Sequence, residues 1–179
     1  DGYSRLVRLT DLREDLSNQG VYVDEAAHNY LSNSELFGGE VLLANVGAHA
    51  GYVCLMPEIE FKATLGPNMM LIRFHKDIID VKFAYLAMSS EYLQSQLKLR
   101  SVSAAQPKLN KEDVRDCVIL VPPLREQPVI AEHIKRRVER ADDLMVKTER
   151  SIEILKERRS ALITAAVTGQ IDLREHIHA

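Results

Sequence analysis

The stretch "VPPLREQ" (residues 121–127) decides how the chain divides. Before it, short apolar runs alternate with turns that contain Gly or Pro, as in a small mixed domain. After it, a polar and periodic segment carries no Pro beyond Pro128 and no Gly before Gly169. A proline suits the first turn of a helix, where its missing N–H has no intrahelical partner to lose. Thr168-Gly169 supplies a stop, because Gly readily takes the left-handed conformation that ends a helix. The pattern predicts one helix over residues 128–166, about 55–60 Å long at 1.5 Å per residue. With Ala131 at heptad position a, the a series runs Ala131, Val138, Met145, Ile152, Arg159. The d series is then Ile134, Ala141, Thr148, Leu155, Leu162. A 3-4 spacing kept over that length marks a left-handed coiled-coil seam. Ala, Thr and Arg weaken the seam. It is therefore expected to pack a partner helix in fixed register rather than to hold as an isolated zipper.

Working back from the prolines, "CVILV" (117–121) reads as a fully buried strand and Asn110 as the cap of a turn in "KEDVRD". "SVSAAQPKLN" (101–110) reads as a loop. Asp80 caps a helical segment with apolar positions at Phe83, Leu86 and Ala87, and later at Leu93 and Leu97. "NMMLIRF" (68–74) is a strand reached through Gly66-Pro67. "EVLLANVGAHAGYVCLM" (40–56) has the two apolar runs of a hairpin, with a loop around residues 47–51 longer than the tight two-residue type. Near the start, "RLVRL" (5–9) and "VYV" (21–23) are strands, and Thr10 or Asp11 caps a helical turn between them. The expected fold class is therefore α/β, a mixed α+β domain over residues 1–121, followed by a helical region over 122–179.

Composition narrows the function. Hydrophobic residues make up 46% and charged residues 27% of the chain, which is ordinary globular usage. No apolar run approaches the roughly 20 residues that span a bilayer, so no membrane contact is expected. Cys54 and Cys117 lie in apolar runs and read as buried free thiols, which suits a reducing cytoplasm. The glycines of "GGEVLLANVGAHAG" do not form a phosphate-binding loop. The six histidines show no metal spacing with a supporting carboxylate, and no catalytic constellation is readable.

The formal net charge of −3 argues weakly against a nucleic-acid binder, but local field matters more than the total. Residues 61–76 hold no acid while carrying Lys62, Arg73 and Lys76. Residues 92–111 again hold none while carrying Lys98, Arg100, Lys108 and Lys111. These windows either build one positive face or are two solvated loops. In "RSVSAAQPKLN", Gln can bridge an adenine edge and Arg a guanine edge, while Lys and Ser suit phosphates. His49, at a loop tip, is either solvated or a base contact.

The motif "VPPLREQ", the long charged helix, and then "ERRSALITAAVTGQIDLRE" together resemble the specificity subunits of type I restriction–modification systems. "GGEVLLANVGAHAG" resembles the family's Gly-Asp-hydrophobic strand and Gly loop, with Glu40 where Asp is common. "AAQPKLN" resembles its recurrent Gln…Leu loop. The resemblance implies a target recognition domain before the double proline, and a conserved helical region after it that forms an antiparallel coiled coil. It implies a non-catalytic reader of double-stranded DNA that directs modification (methyltransferase) and restriction subunits to a bipartite target. S-adenosylmethionine, ATP and Mg would be needed by the complex and not bound here. One domain and one helix make half of the family's plan, so a second copy or a second half is implied. Lys62, Arg73, Lys98, Arg100 and Lys108 are candidate phosphate contacts. Asn45, His49, Ser103 and Gln106 are candidate base readers, with Asn68 and Ser101 beside them. The candidate helix interface is Ile134, Val138, Ala141, Met145, Thr148, Ile152, Leu155, Arg159 and Leu162. The competing reading is a coiled-coil scaffold whose globular head binds another protein.

Overall fold

The computed structural model describes residues 2–101 and 107–171. The chain forms two compact units, residues 1–131 and 132–179. In the first unit, β1 (Ser4–Val7) lies antiparallel to β2 (Val21–Val23) and parallel to β6 (Ala63–Leu65), and β6 pairs antiparallel with β3 (Glu35–Leu36). A second sheet places β4 (Val41–Ala44) between β5 (Val53–Leu55) and β7 (Met69–Ile72), both antiparallel to it. All four residues of β4 are buried. Successive side chains alternate between faces, so Leu42 joins a core cluster with Val7, Leu36, Met56 and Ala63. Val41 and Leu43 join another with Val53, Met88, Leu93 and Leu97. That two-faced burial explains why "VLLA" is continuously apolar rather than alternating.

The first strand is shorter than residues 5–9 because the chain turns into α1 (Leu9–Arg13), with Arg8 at the cap position instead of Thr10 or Asp11. Asp11 is the third helical residue and reaches back, accepting the Arg8 N–H at 2.7 Å and its guanidinium at 2.9 Å. A carboxylate there satisfies a cap N–H as well as one at the cap itself. Burial pushes the Asp11 carboxyl up. The hydrogen bonds from the Arg8 side chain and backbone and from Asn18 outweigh it and hold the group at about 2. Asn18 in turn receives Arg5, a buried guanidinium that also donates to the Leu16 carbonyl at 2.8 Å. This polar knot fixes the turn at Asp15 and Leu16, both with positive φ.

At the glycine pair, Gly38 has φ +108, and a Cβ there would meet the Glu58 Cα at 2.9 Å. The Glu40 carboxylate folds back over this turn and accepts the N–H groups of Phe37 at 2.8 Å and Gly38 at 3.0 Å.

The helical segment after Asp80 is two helices, α3 (Val81–Ser89) and α4 (Glu91–Arg100). Asp80 Oδ1 accepts the Phe83 N–H at 3.0 Å, as expected of a cap, and Ser90 Oγ restarts the chain by accepting from Leu93. Asn110 precedes α5 (Lys111–Arg115), where the Asp113 carboxylate accepts the Asn110 N–H at 2.7 Å.

The expected strand at 117–121 is corrected: among the described residues no strand forms there. Val118 and Leu120 are 57% and 73% exposed. A single side chain replaces the missing neighbour. Gln96 accepts the Val118 N–H at 2.9 Å and donates to its carbonyl at 3.0 Å.

The predicted long helix is present as α6 (Gln127–Val167), with 41 residues and a length of about 60 Å. Its first residue explains the motif that opens it. Gln127 is 0% exposed. It accepts the Asp80 N–H at 2.7 Å and donates to the carbonyls of Ile78 at 3.0 Å and Pro122 at 2.8 Å. In the second unit, Val138, Met145, Ile152, Leu155 and Leu162 are between 45% and 61% exposed. Exposed Lys135–Glu139 and Arg136–Glu132 pairs lie one turn apart, the spacing that supports a helix from its surface. Gly169, with φ +70, ends the helix. Gln170 N–H bonds the Ala165 carbonyl at 2.8 Å and Gly169 N–H that of Ala166 at 3.3 Å, the paired bonds of a Schellman end.

Candidate nucleic-acid interface

The β4–β5 hairpin carries the candidate loop. Gly47 and Gly51 sit at φ +89 and +94, a conformation that side-chain-bearing residues resist. This lets the loop close on itself: Gly51 N–H bonds Ala44 O at 2.8 Å and Tyr52 N–H bonds His49 O at 2.9 Å. Gln94 of α4 supports the loop from below, donating to Gly51 O at 3.0 Å and to Met88 O at 2.8 Å.

Asn45 joins this loop to two others through its backbone. Its N–H bonds Asn68 O at 3.0 Å, and its carbonyl accepts the Leu109 N–H at 2.8 Å. Gly47 N–H bonds Pro107 O at 2.9 Å, and Val46 and Lys108 form an antiparallel bridge. Leu109 is fully buried beneath. Asn68 holds φ +64, a conformation Asn tolerates better than most residues. Asn45, His49, Asn68 and Lys108 therefore gather at one end of the sheet. The Asn45 Oδ1 atom is buried without a partner among the described residues. Ser103 and Gln106 lie outside the described residues.

The other candidates are placed differently. Ser101 is nearly buried and donates to Lys98 O at 2.9 Å, so its hydroxyl serves the end of α4. Lys98 is exposed in the last turn of that helix. Arg100 donates to the carbonyls of Gln96 at 3.3 Å and Asp116 at 3.0 Å. Lys62 lies at the opposite end of β6 from Gly66. Its ammonium bonds the Tyr3 hydroxyl, which holds the lysine pKa above its usual value, and sits over that ring 3.9 Å from the centroid. Arg73 follows β7 at the end away from Asn68 and donates to Asn33 O at 3.2 Å. There it lines a cleft of about 600 Å³ together with Lys111 and Arg115.

One residue at the gathered end has no signal in the sequence. Arg13, in the last turn of α1, donates through Nη1 to His49 Nε2 at 3.2 Å. The two are 36 residues apart, and neither spacing nor charge windows connect them.

Burial raises the Cys54 thiol to about 11 and also raises that of Cys117, so both stay protonated and poorly nucleophilic. Among the described residues no group of His, Cys, Asp or Glu is arranged to hold a metal. No helix among them is long and apolar enough to cross a membrane.

Comparison with known proteins fits this architecture. Residues 13–154 match the family described as the type I restriction modification DNA specificity domain. The EcoBI type I restriction enzyme specificity subunit of Escherichia coli is 30% identical over 109 residues, 61% of this chain and 23% of that protein. Among solved structures, the HsdS subunit from Thermoanaerobacter tengcongensis superposes with a TM-score of 0.55 at 18% identity, over 76% of this chain and 34% of that one. The S subunit of the type I system of M. genitalium gives 0.51 at 19% identity, over 80% and 34%. The chain thus spans about a quarter of the curated relative and a third of each solved subunit. At these identities the solved structures show the shared fold, a mixed sheet-and-helix domain with a long C-terminal helix. With most of its length inside the family match, the chain belongs to the type I restriction modification DNA specificity domain family.

Proposed function

We propose that this chain is a non-catalytic reader of one part of a bipartite double-stranded DNA target, which it presents to methyltransferase and endonuclease subunits. The observation that carries the reading is the knitting of three loops through Asn45. With the Val46–Lys108 bridge it brings the backbones that carry Asn45, Asn68 and Lys108 to the loop that carries His49, and polar and basic side chains of this kind address base edges and phosphates. The exposed apolar positions of α6 suit an antiparallel pairing with a second copy or a second half, which would carry two reading domains at a fixed separation. Methyl transfer and ATP-driven cleavage, with their S-adenosylmethionine, ATP and Mg, fall to the partner subunits, and the complex works in the cytoplasm where the DNA is. Electrophoretic shifts at two salt concentrations test the first part. A DNA reader loses affinity steeply as salt rises, because phosphate contacts release counterions. Mapping of methylated sites after exposure to the reconstituted modification complex tests the rest. A salt-independent interaction, or methylation without sequence preference, refutes the reading.

A further inference from the structure

We propose that Arg13 and His49 act as one specificity-determining pair that reads a guanine in the major groove; this rests on the DNA-reading function above. The argument starts from the hydrogen bond between them. His49 Nε2 faces Arg13 Nη1 at 3.2 Å, and an arginine only donates. The Nε2 atom is therefore the acceptor, which places the ring proton of the neutral imidazole on Nδ1. The Nδ1–H then points away from Arg13, so His49 holds the guanidinium in place, and what is left to face a base is the fork of remaining guanidinium N–H groups, all donors. In the major groove guanine presents two acceptors, N7 and O6. Adenine pairs an acceptor with a donor, thymine pairs an acceptor with a methyl, and cytosine offers a donor. An all-donor fork held by His49 matches guanine alone.

Both members are exposed, and each stands on an ordered base. Arg13 leads into the turn held by the knot of Arg5, Asp11 and Asn18. His49 tops the loop braced by Gln94 and tied to residues 107–109. Recognition of a base edge needs such support, since a small misplacement loses a bidentate contact. Glu14 and Asp15 follow Arg13 directly. They weaken any general attraction of this corner for phosphate, which favours a base contact over a backbone contact.

The test is a selection of randomised duplexes with the full chain, on wild type, Arg13→Ala, His49→Ala, the double variant and Arg13→Lys. The wild type should enrich a site containing an obligatory G. Each alanine variant should lose the preference at that same position by about tenfold or more, and the double variant should lose no more than either single one. Arg13→Lys, which keeps the charge but not the planar fork, should lose the preference too. The salt slope of binding to an unrelated duplex should stay unchanged in Arg13→Lys, which keeps the charge, and thermal melting should be unchanged in all variants. The pairing is overturned by an unchanged preference in Arg13→Ala or Arg13→Lys, by losses at different positions, or by loss at a base other than G. A uniform loss of affinity with a shallower salt slope also overturns it, since that makes Arg13 a phosphate contact. A wild type that enriches no sequence overturns the DNA-reading function itself together with the pair.

Discussion

Replacing Gln127 by Leu tests whether the first residue of the long helix is a structural pin. The substitution keeps the volume and removes three hydrogen bonds at once, to the Asp80 N–H, the Ile78 carbonyl and the Pro122 carbonyl. Because Gln127 is fully buried, water has little room to replace them. An unsatisfied buried group costs about 1–3 kcal/mol. Taking about 2 for the N–H and about 1 for each carbonyl, which retains a second lone pair, gives about 4 kcal/mol. The added apolar surface of Leu offsets about 1 kcal/mol of this, leaving a net loss of about 3 kcal/mol. Urea unfolding of the full chain reads this directly. All six tyrosines precede residue 93 and the chain has no tryptophan, so intrinsic fluorescence reports the first unit. With a slope of about 1.5 kcal/mol per M, the midpoint should fall by about 2 M. Glu126→Ala, at the exposed neighbouring position, should move it by less than about 0.3 M. A Gln127→Leu midpoint as close to wild type as that of Glu126→Ala would refute the reasoning.

Three further perturbations have defined outcomes. The Asp11 carboxyl is lowered from 3.8 to about 2 in the folded protein, so its contribution is complete above about pH 4 and is lost as pH falls through 2. Asp11→Asn should therefore destabilise by about 2 kcal/mol at pH 7, and the difference from wild type should vanish near pH 2 in denaturant titrations. Lys108→Ala should weaken binding to all duplexes alike and reduce the salt slope by about one, and a change confined to one target position would contradict this. Ile152→Asp with Leu155→Asp should convert a paired chain to a monomer in sedimentation while the tyrosine-reported unfolding transition is kept. A wild type that is monomeric at micromolar concentration would refute self-pairing.

The parts of the fold legible in the sequence are those written in local chemistry. Asp80, Gly169 and the prolines mark ends because their own backbone preferences or side-chain reach create them. The heptad spacing gives the long helix because its 3-4 register holds without a slip, even where Thr148 and Arg159 fall on it. Residues 117–121 misled for a physical reason: an apolar run records no information about its neighbours. Here Gln96, some twenty residues earlier, takes the place of an adjacent strand. The cap at Arg8 was hidden because a carboxylate three positions on serves it equally well. At the candidate site, Asn45, His49 and Lys108 are chosen from side-chain chemistry, and the bonds that bring their segments to one end of the sheet carry no local signal. That Arg100 and Ser101 are spent on local carbonyls was not legible either. Arg13 is the extreme case, since its role exists only through a contact that the folded chain creates.

The bridge between Val46 and Lys108, with the bonds from Asn45 and Gly47 beside it, also bears on how new sequence preferences arise. Segments this tightly laced move together: a substitution that shifts the hairpin tip drags the Pro107 and Asn68 backbones with it. Displacing the hairpin tip alone would break three main-chain bonds, to Asn68, Pro107 and Leu109. Drift in recognition is then expected to proceed by side-chain replacement on a fixed scaffold, or by wholesale replacement of the domain. An engineer transplanting a preference into another scaffold should move residues 44–52, 66–69 and 107–110 as one cassette.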